Sequence, residues 1–365
     1  MATPQSDRPS ASPSLSFRGL LRGELAGFLV DVEMESDSTA DALTELVMTL
    51  ARCREEGAAL FPSVFIADDR AALMALVVGS DFVRLGEGDI SVATMQQAIK
   101  LCAPLGRGGW SVYIGREAGG LAYGVFRTDN FVLQETAMER LRASDAGHLH
   151  AFGVIRLGEE VVELRGSGGV VRYIYLSGAH AAGMAPSLLT RQLVAMTVKD
   201  APERAQAALR IFYRRILIQA ARSTHGNLIA VVDARAVEPK LCTDGALLAT
   251  PIDVADAIDA YERAPSETTR ESVQALANLL WGMLSSDGVT VVRSDGAMLG
   301  FNAFIAHDAA RAQAQGEARR VVGGARRRTF ETLCASIGGE LAAAYFQSQD
   351  GAAELRTHES MLEST

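Results

Sequence analysis

Six arginines, Arg311, Arg319, Arg320, Arg326, Arg327 and Arg328, fall within eighteen residues of this 365-residue chain, and Glu317 is the only acid among them. The formal net charge of the whole chain is -9, so this segment reverses the local sign. Its last part reads Val322-Gly323-Gly324-Ala325-Arg326-Arg327-Arg328. Glycines let backbone amides come close to a ligand, and arginines at a helix start aim forked donors the same way as the exposed amides. That donor set suits phosphate oxygens, each charge-assisted bond being worth about 1.5–3 kcal/mol. The plainer alternative is a solvated basic turn. A second group, Ser286-Asp287-Gly288-Val289, ends a helix, turns at a glycine and sets a carboxylate at the mouth of a strand. Such a carboxylate can accept a ribose hydroxyl or hold a divalent metal that bridges phosphates. Asp-Gly is also a common turn dipeptide. Two Asp-Gly-Ala triplets, at 244–246 and 295–297, compete with it. Asp287 is preferred because it alone follows a long amphipathic helix and opens a strand; Asp295 reads as a hairpin turn.

The elements that must position these residues are legible as hydrophobic patterns. Thr268 and Glu271 make a capping box for a helix to about Leu284, with Val273, Leu276, Leu280, Met283 and Leu284 on one face. Strands follow at 289–292 and 298–305, then a helix over 327–337 and a strand over 341–347. Upstream, 187–221 reads as largely helical, 227–233 as a continuous apolar strand covered on both sides, and 234–265 as a polar loop region. The earlier part has Ser38 or Thr39 as the cap of a helix, strand-like runs at 63–66 and 73–78, and a helix over 91–101. A denser set of strands follows at 111–114, 121–127, 150–157, 161–165 and 170–176. No internal repeat is evident. The expected fold is mixed α/β (α+β). Residues 1–17 form a Ser/Pro-rich disordered tail, 18–185 an N-terminal α+β region, 186–357 a mixed sheet with flanking helices, and 358–365 a C-terminal tail, the boundary falling near Ala185.

Composition bounds the function. With 48% hydrophobic and 22% charged residues the chain can build a sizeable core. The acidic balance argues against coating nucleic acid or an anionic membrane, and no apolar run approaches the roughly 18 residues of a membrane helix. Cys53, Cys102, Cys242 and Cys334 lie far apart with no Cys-x-x-Cys pair, so a reducing cytoplasm is the expected location. His148 and His150 have two-histidine metal spacing without a third ligand, and His225 more simply ends a helix. The Gly-rich stretches 106–109 and 166–169 read as hairpin tips rather than phosphate loops, and no nucleophile elbow is present.

In order and spacing, the C-terminal motifs resemble the diadenylate cyclase domain. There a helix ends at an Asp-Gly-Ala strand start, and Gly-Thr-Arg-His-Arg opens a helix some forty residues later. NLIAVVD resembles its first core strand, LANLLWGMLSSDGVTVVRSDGAMLGFNAFI its central helix-strand-strand unit, GGARRRTFETLCASIG its arginine-motif helix and AAAYFQSQDGAAELR its final strands. The match covers about residues 205–356, and the whole chain is most similar to the bacterial sensor-domain relatives of that class, the DACNV group. The resemblance implies that Asp287, Gly288, Val289, Gly324, Ala325, Arg326, Arg327, Arg328 and Ser348 contact a nucleotide. It further implies that Asp287 and Asp350 could hold Mg²⁺ or Mn²⁺, and that Asp287 is catalytic if the domain is active. Val289 replaces the family's alanine, Ala325 its threonine and Arg327 its histidine. Gln349 stands where the family has an acid, and Mg²⁺ prefers charged oxygens to an amide.

These departures point to a nucleotide-binding sensor that has kept the phosphate grip and lost some of the chemistry. Its expected ligand is a purine nucleotide or a nucleotide-derived second messenger such as cyclic di-AMP. One alternative is an active diadenylate cyclase joining two ATP, for which the family's facing sites imply a homo-oligomer. The other is a non-enzymatic adaptor with a vestigial domain, in which acids would neutralise the basic loop.

Overall fold

The computed structural model describes residues 16–358 apart from 78–80, 118, 129–130, 146–148, 159, 177–185, 223–225, 237–241, 306–323 and 349–351. The described chain forms an α/β fold with two mixed sheets, each sandwiched between helices.

In the first part, Ser16 caps α1 (Phe17–Asp31) through the Gly19 amide, and Ser36 caps α2 (Asp37–Ala51) through that of Thr39. A two-residue ladder, β1 (Arg54–Glu55) and β2 (Ala58–Ala59), leads to β3 (Ser63–Ala67), α3 (Arg70–Met74), β4 (Phe82–Asp89) and α4 (Val92–Cys102). Next come β5 (Trp110–Glu117), β6 (Gly120–Arg127), α5 (Ala137–Ala143), β7 (Ala151–Gly158), β8 (Val161–Gly166) and β9 (Val171–Tyr175). The second part runs α6 (Pro186–Thr197), α7 (Glu203–Ala221), β10 (Asn227–Val232), β11 (Cys242–Ile252), α8 (Val254–Arg263) and α9 (Glu267–Leu284). It ends with β12 (Val289–Arg293), β13 (Met298–Ile305), α10 (Ala325–Ala335), β14 (Leu341–Gln347) and β15 (Ala353–Thr357).

The two sheets repeat one topology. The first has the order β4-β6-β5-β3-β7-β8-β9 and the second β11-β13-β12-β10-β14-β15. In each, the central strand (β3 or β10) pairs in parallel with one neighbour (β5 or β12) and antiparallel with the other (β7 or β14). The outer pairings are antiparallel on both sides. The helices repeat as well. One core packs α1, α2 and α4 on one face of the first sheet, as another packs α6, α7, α8 and α9 on the second. The opposite faces carry α5 and α10 respectively. A repeat therefore exists, in strand order and direction rather than in letters: burial asks only for apolar residues at the right period, which many sequences satisfy.

Other expectations also change. Residues 73–78 were expected in a strand, but Leu73 sits in α3, capped by Asp69. The expected loop region 234–265 contains β11 and α8, the latter capped by Asp253. Ser36, not Ser38 or Thr39, caps α2, and the box on α9 is Ser266 with Thr269. The helical stretch 187–221 divides into α6 and α7 around Pro202, which lacks the amide a continuous helix needs. Residues 106–109 are no hairpin tip: they join the end of a helix to β5. No helix among the described residues is long and apolar enough to cross a membrane.

Candidate functional site

The site is built at one end of the second sheet. α9 stops where the Ser286 hydroxyl donates to the Met283 carbonyl at 2.6 Å. The chain then turns through Asp287 and Gly288, the latter at φ +83° with its amide donating to Asp287 Oδ1 at 3.0 Å. Only glycine fits this turn readily, since a Cβ on Gly288 would lie 2.8 Å from the Asn302 Cα. Across from it β13 is bulged: Val289 pairs with Ala303 but Val291 with Gly300, and Asn302 takes a left-handed φ of +50°.

Gly324 starts α10 and, having no side chain, makes no N-cap side-chain hydrogen bond. From this first turn Arg326 reaches back: its Nη2 lies 2.9 Å from Asp287 Oδ1. Asp287 is 82% exposed and the pair lies at the surface. The two motifs of the sequence thus meet.

The arginine triplet does not act as a trio. Arg327 pairs with Glu354 on β15 and with Glu331 at 2.6 Å, and its guanidinium lies over the rings of Phe330 and Phe346. Burial lowers its pKa, but the two carboxylates outweigh that and raise it above the usual arginine value. Arg328 is exposed on the first turn, beside the exposed Ala325. Val289 is buried as the first residue of β12, its side chain in the core rather than at the surface. Ser348 lies at the end of β14; the strand register sets it at the same end of the sheet as Asp287, two strand spacings or about 10 Å away. Its hydroxyl accepts from the Ala352 amide at 3.1 Å. Asp350 and Gln349 lie outside the described residues, as do Arg311, Arg319, Arg320, Gly323, His148 and His225.

Three residues not singled out for this site stand beside it. Asp244-Gly245 sits at a bulge of β11 and repeats the local contact of Asp287-Gly288, the glycine amide donating to Asp244 Oδ1 at 2.7 Å, with Gly245 at φ +114°. It lies on β11, on the other side of β13, where Asp244 pairs with Phe304. Asn302 and Phe304 are exposed on β13, between the two Asp-Gly pairs, and Phe304 is 56% exposed. The alternation of β13 could have marked them: two exposed positions, one of them a large aromatic, next to a motif. Asp295 sits in the β12–β13 hairpin, as read from the sequence, where it accepts from the Ala297 amide at 3.0 Å.

Among the described residues no group of three or more His, Cys, Asp or Glu forms a metal cluster. Asp287 supplies one charged oxygen donor, which suits Mg²⁺ or Mn²⁺ when ligand phosphates complete the shell. Comparison of the chain with family models, with curated proteins and with solved structures finds no match.

Proposed function

We propose that the second unit binds a purine nucleotide or a nucleotide-derived messenger as a sensor, in the manner its resemblance to diadenylate cyclases implies. The observation that carries this reading is the approach of Arg326 to Asp287. The start of α10 at Gly324 and the Arg326 guanidinium are the donors that would face phosphate. Asp287 is placed to accept a ribose hydroxyl or to share a divalent cation with the phosphates, a cation that would neutralise their charge. Gly288 lets the chain turn tightly against Asn302 and so sets the Asp287 carboxylate at this end of the sheet. Because the pair is exposed, its own worth is about 0–1 kcal/mol. A ligand therefore displaces it at little cost. The reading includes a cytoplasmic location, with no nucleic acid or membrane as partner.

The first unit has Gly108 where the second has Asp287, and Thr136 where the second has Gly324. Cyclase chemistry on two facing equivalent sites would thus require two chains, a homo-oligomer. One observation favours the adaptor reading instead: Arg327 is already neutralised by Glu354 and Glu331. Calorimetry of the full chain against ATP, GTP and cyclic di-AMP, with Mg²⁺ present, separates the readings. Saturable binding that is lost in Arg326→Ala supports the sensor. No binding at millimolar ligand, or an unchanged Arg326→Ala variant, removes it.

A further inference from the structure

A cavity of about 1510 Å³ lies between the two units. It borders residues 106–111 and the first turn of α5, which by topology are the first unit's counterparts of the Asp287 turn and the start of α10. The first unit supplies neither charge at these places. Gly108 replaces the carboxylate, and Thr136 with Glu139 closes the start of α5 in a capping box. Arg107, Arg127, Arg142 and Arg165 of the first unit line the cavity, and the other unit adds, among others, Arg214, Arg215 and Arg222 on α7 and just beyond its end.

Nine arginines against six carboxylates line the cavity, a surplus of positive charge in a chain of net charge -9. Two of those acids are already engaged. Glu139 lies 2.7 Å from Arg214, and Glu163 pairs with Arg165 on β8. Arg215 and Arg222 are seven residues apart, hence on one face of the helix, and have no ion-pair partner among the described residues. The Arg222 Nε is buried without a hydrogen-bond acceptor, and Glu163 Oε2 is buried without a donor. Burial pushes the Arg222 guanidinium down to about 10, with Arg165 and Arg215 adding to the effect against Glu163, so it remains cationic at neutral pH. Unpaired buried cations destabilise a fold and mark functional clefts. The cavity also has an apolar wall that includes Trp110 and Phe131.

We propose that this cavity binds a small organic phosphate, its phosphate groups held by Arg215 and Arg222, a hydroxyl donated to Glu163, and its uncharged part against the wall at Trp110. The site is separate from the Asp287–Arg326 pair, and neither reading depends on the other.

Trp110 and Trp281 are the two tryptophans, and Trp281 lies outside the cavity lining. In full-length Trp281→Phe protein, Trp110 emission reports on the cavity alone. Titration with inorganic tripolyphosphate and with ATP should change it saturably. Tighter binding of ATP assigns the wall to the base, and equal affinity assigns recognition to the phosphates. Arg222→Met and Arg215→Met should each weaken binding at least tenfold, and Arg222→Lys less. Without ligand, Arg222→Met should unfold at the same or a higher temperature than its parent, because a buried unpaired charge is gone. The proposal is overturned by the absence of a saturable change with either probe, by Arg222→Met and Arg215→Met binding as the parent does, or by Arg222→Met melting at a lower temperature.

Discussion

Gly109 and Gly288 occupy the same place in the two units. Each directly precedes the strand that runs parallel to the central one, and each holds a left-handed backbone, at φ +90° and +83°. What differs is their surroundings. Gly288 follows a carboxylate that meets Arg326, whereas Gly109 follows another glycine at the rim of the cavity between the units. One framework thus carries a charged motif in one copy and borders an arginine-lined cavity in the other.

The two glycines should respond differently to alanine. At Gly109 a Cβ has nothing within 4 Å, so only the left-handed conformation is strained, and Gly109→Ala should lose about 1 kcal/mol. At Gly288 the same strain adds to a 2.8 Å approach to the Asn302 backbone, and the loss should be about 3 kcal/mol. Urea unfolding of both variants checks this; equal losses would contradict the tight packing described for the Asp287 turn.

Neighbouring arginines should separate by role. Arg326→Gln removes a surface pair and should shift stability by no more than about 1 kcal/mol. Arg327→Gln removes two carboxylate partners and the packing on Phe330 and Phe346, and should lose about 1–3 kcal/mol. Denaturant titrations of the two variants decide; a larger loss at Arg326 would reverse the assignment.

Alkaline stability should report on Cys102. It is fully buried, and burial pushes its thiol from the ordinary 9.0 up to about 12. Above pH 9 the unfolded chain releases this proton while the folded chain keeps it. Folding stability therefore falls as pH rises from about 9 to 12, by at most about 1.4 kcal/mol per pH unit from this group. Below pH 9 the contribution is fully present. Cys102→Val should flatten that part of the stability profile relative to wild type. Parallel profiles for the two proteins over this range would contradict the burial of the thiol.

Much of the second unit was legible in the sequence because its signals are local. The apolar stripe of α9, the turn at Asp287 and the alternation of β12 and β13 each depend on a few adjacent residues. Their meeting with Arg326 was also readable, as the order of two motifs on either side of one strand pair. Three things were not. β11 and α8 were hidden because Pro251 and several acids gave 234–265 a loop composition, while pairing with β13 and packing on α9 decide the structure. The capture of Arg327 by Glu354 depends on a neighbour twenty-seven residues away, on a different strand. The repeat of the fold, and the cavity it forms with α7, exist only at the level of strand order, which no single motif encodes.

The central claim is that Asp287 and Arg326 clasp one nucleotide together, and a double-mutant cycle on affinity tests it most directly. Binding of ATP with Mg²⁺ is measured for wild type, Asp287→Asn, Arg326→Gln and the double variant. Each single change is expected to weaken binding about tenfold or more. The double variant is expected to lose much less than the product of the two, since residues that touch a common ligand are coupled. Wild-type affinity in both single variants would contradict the account.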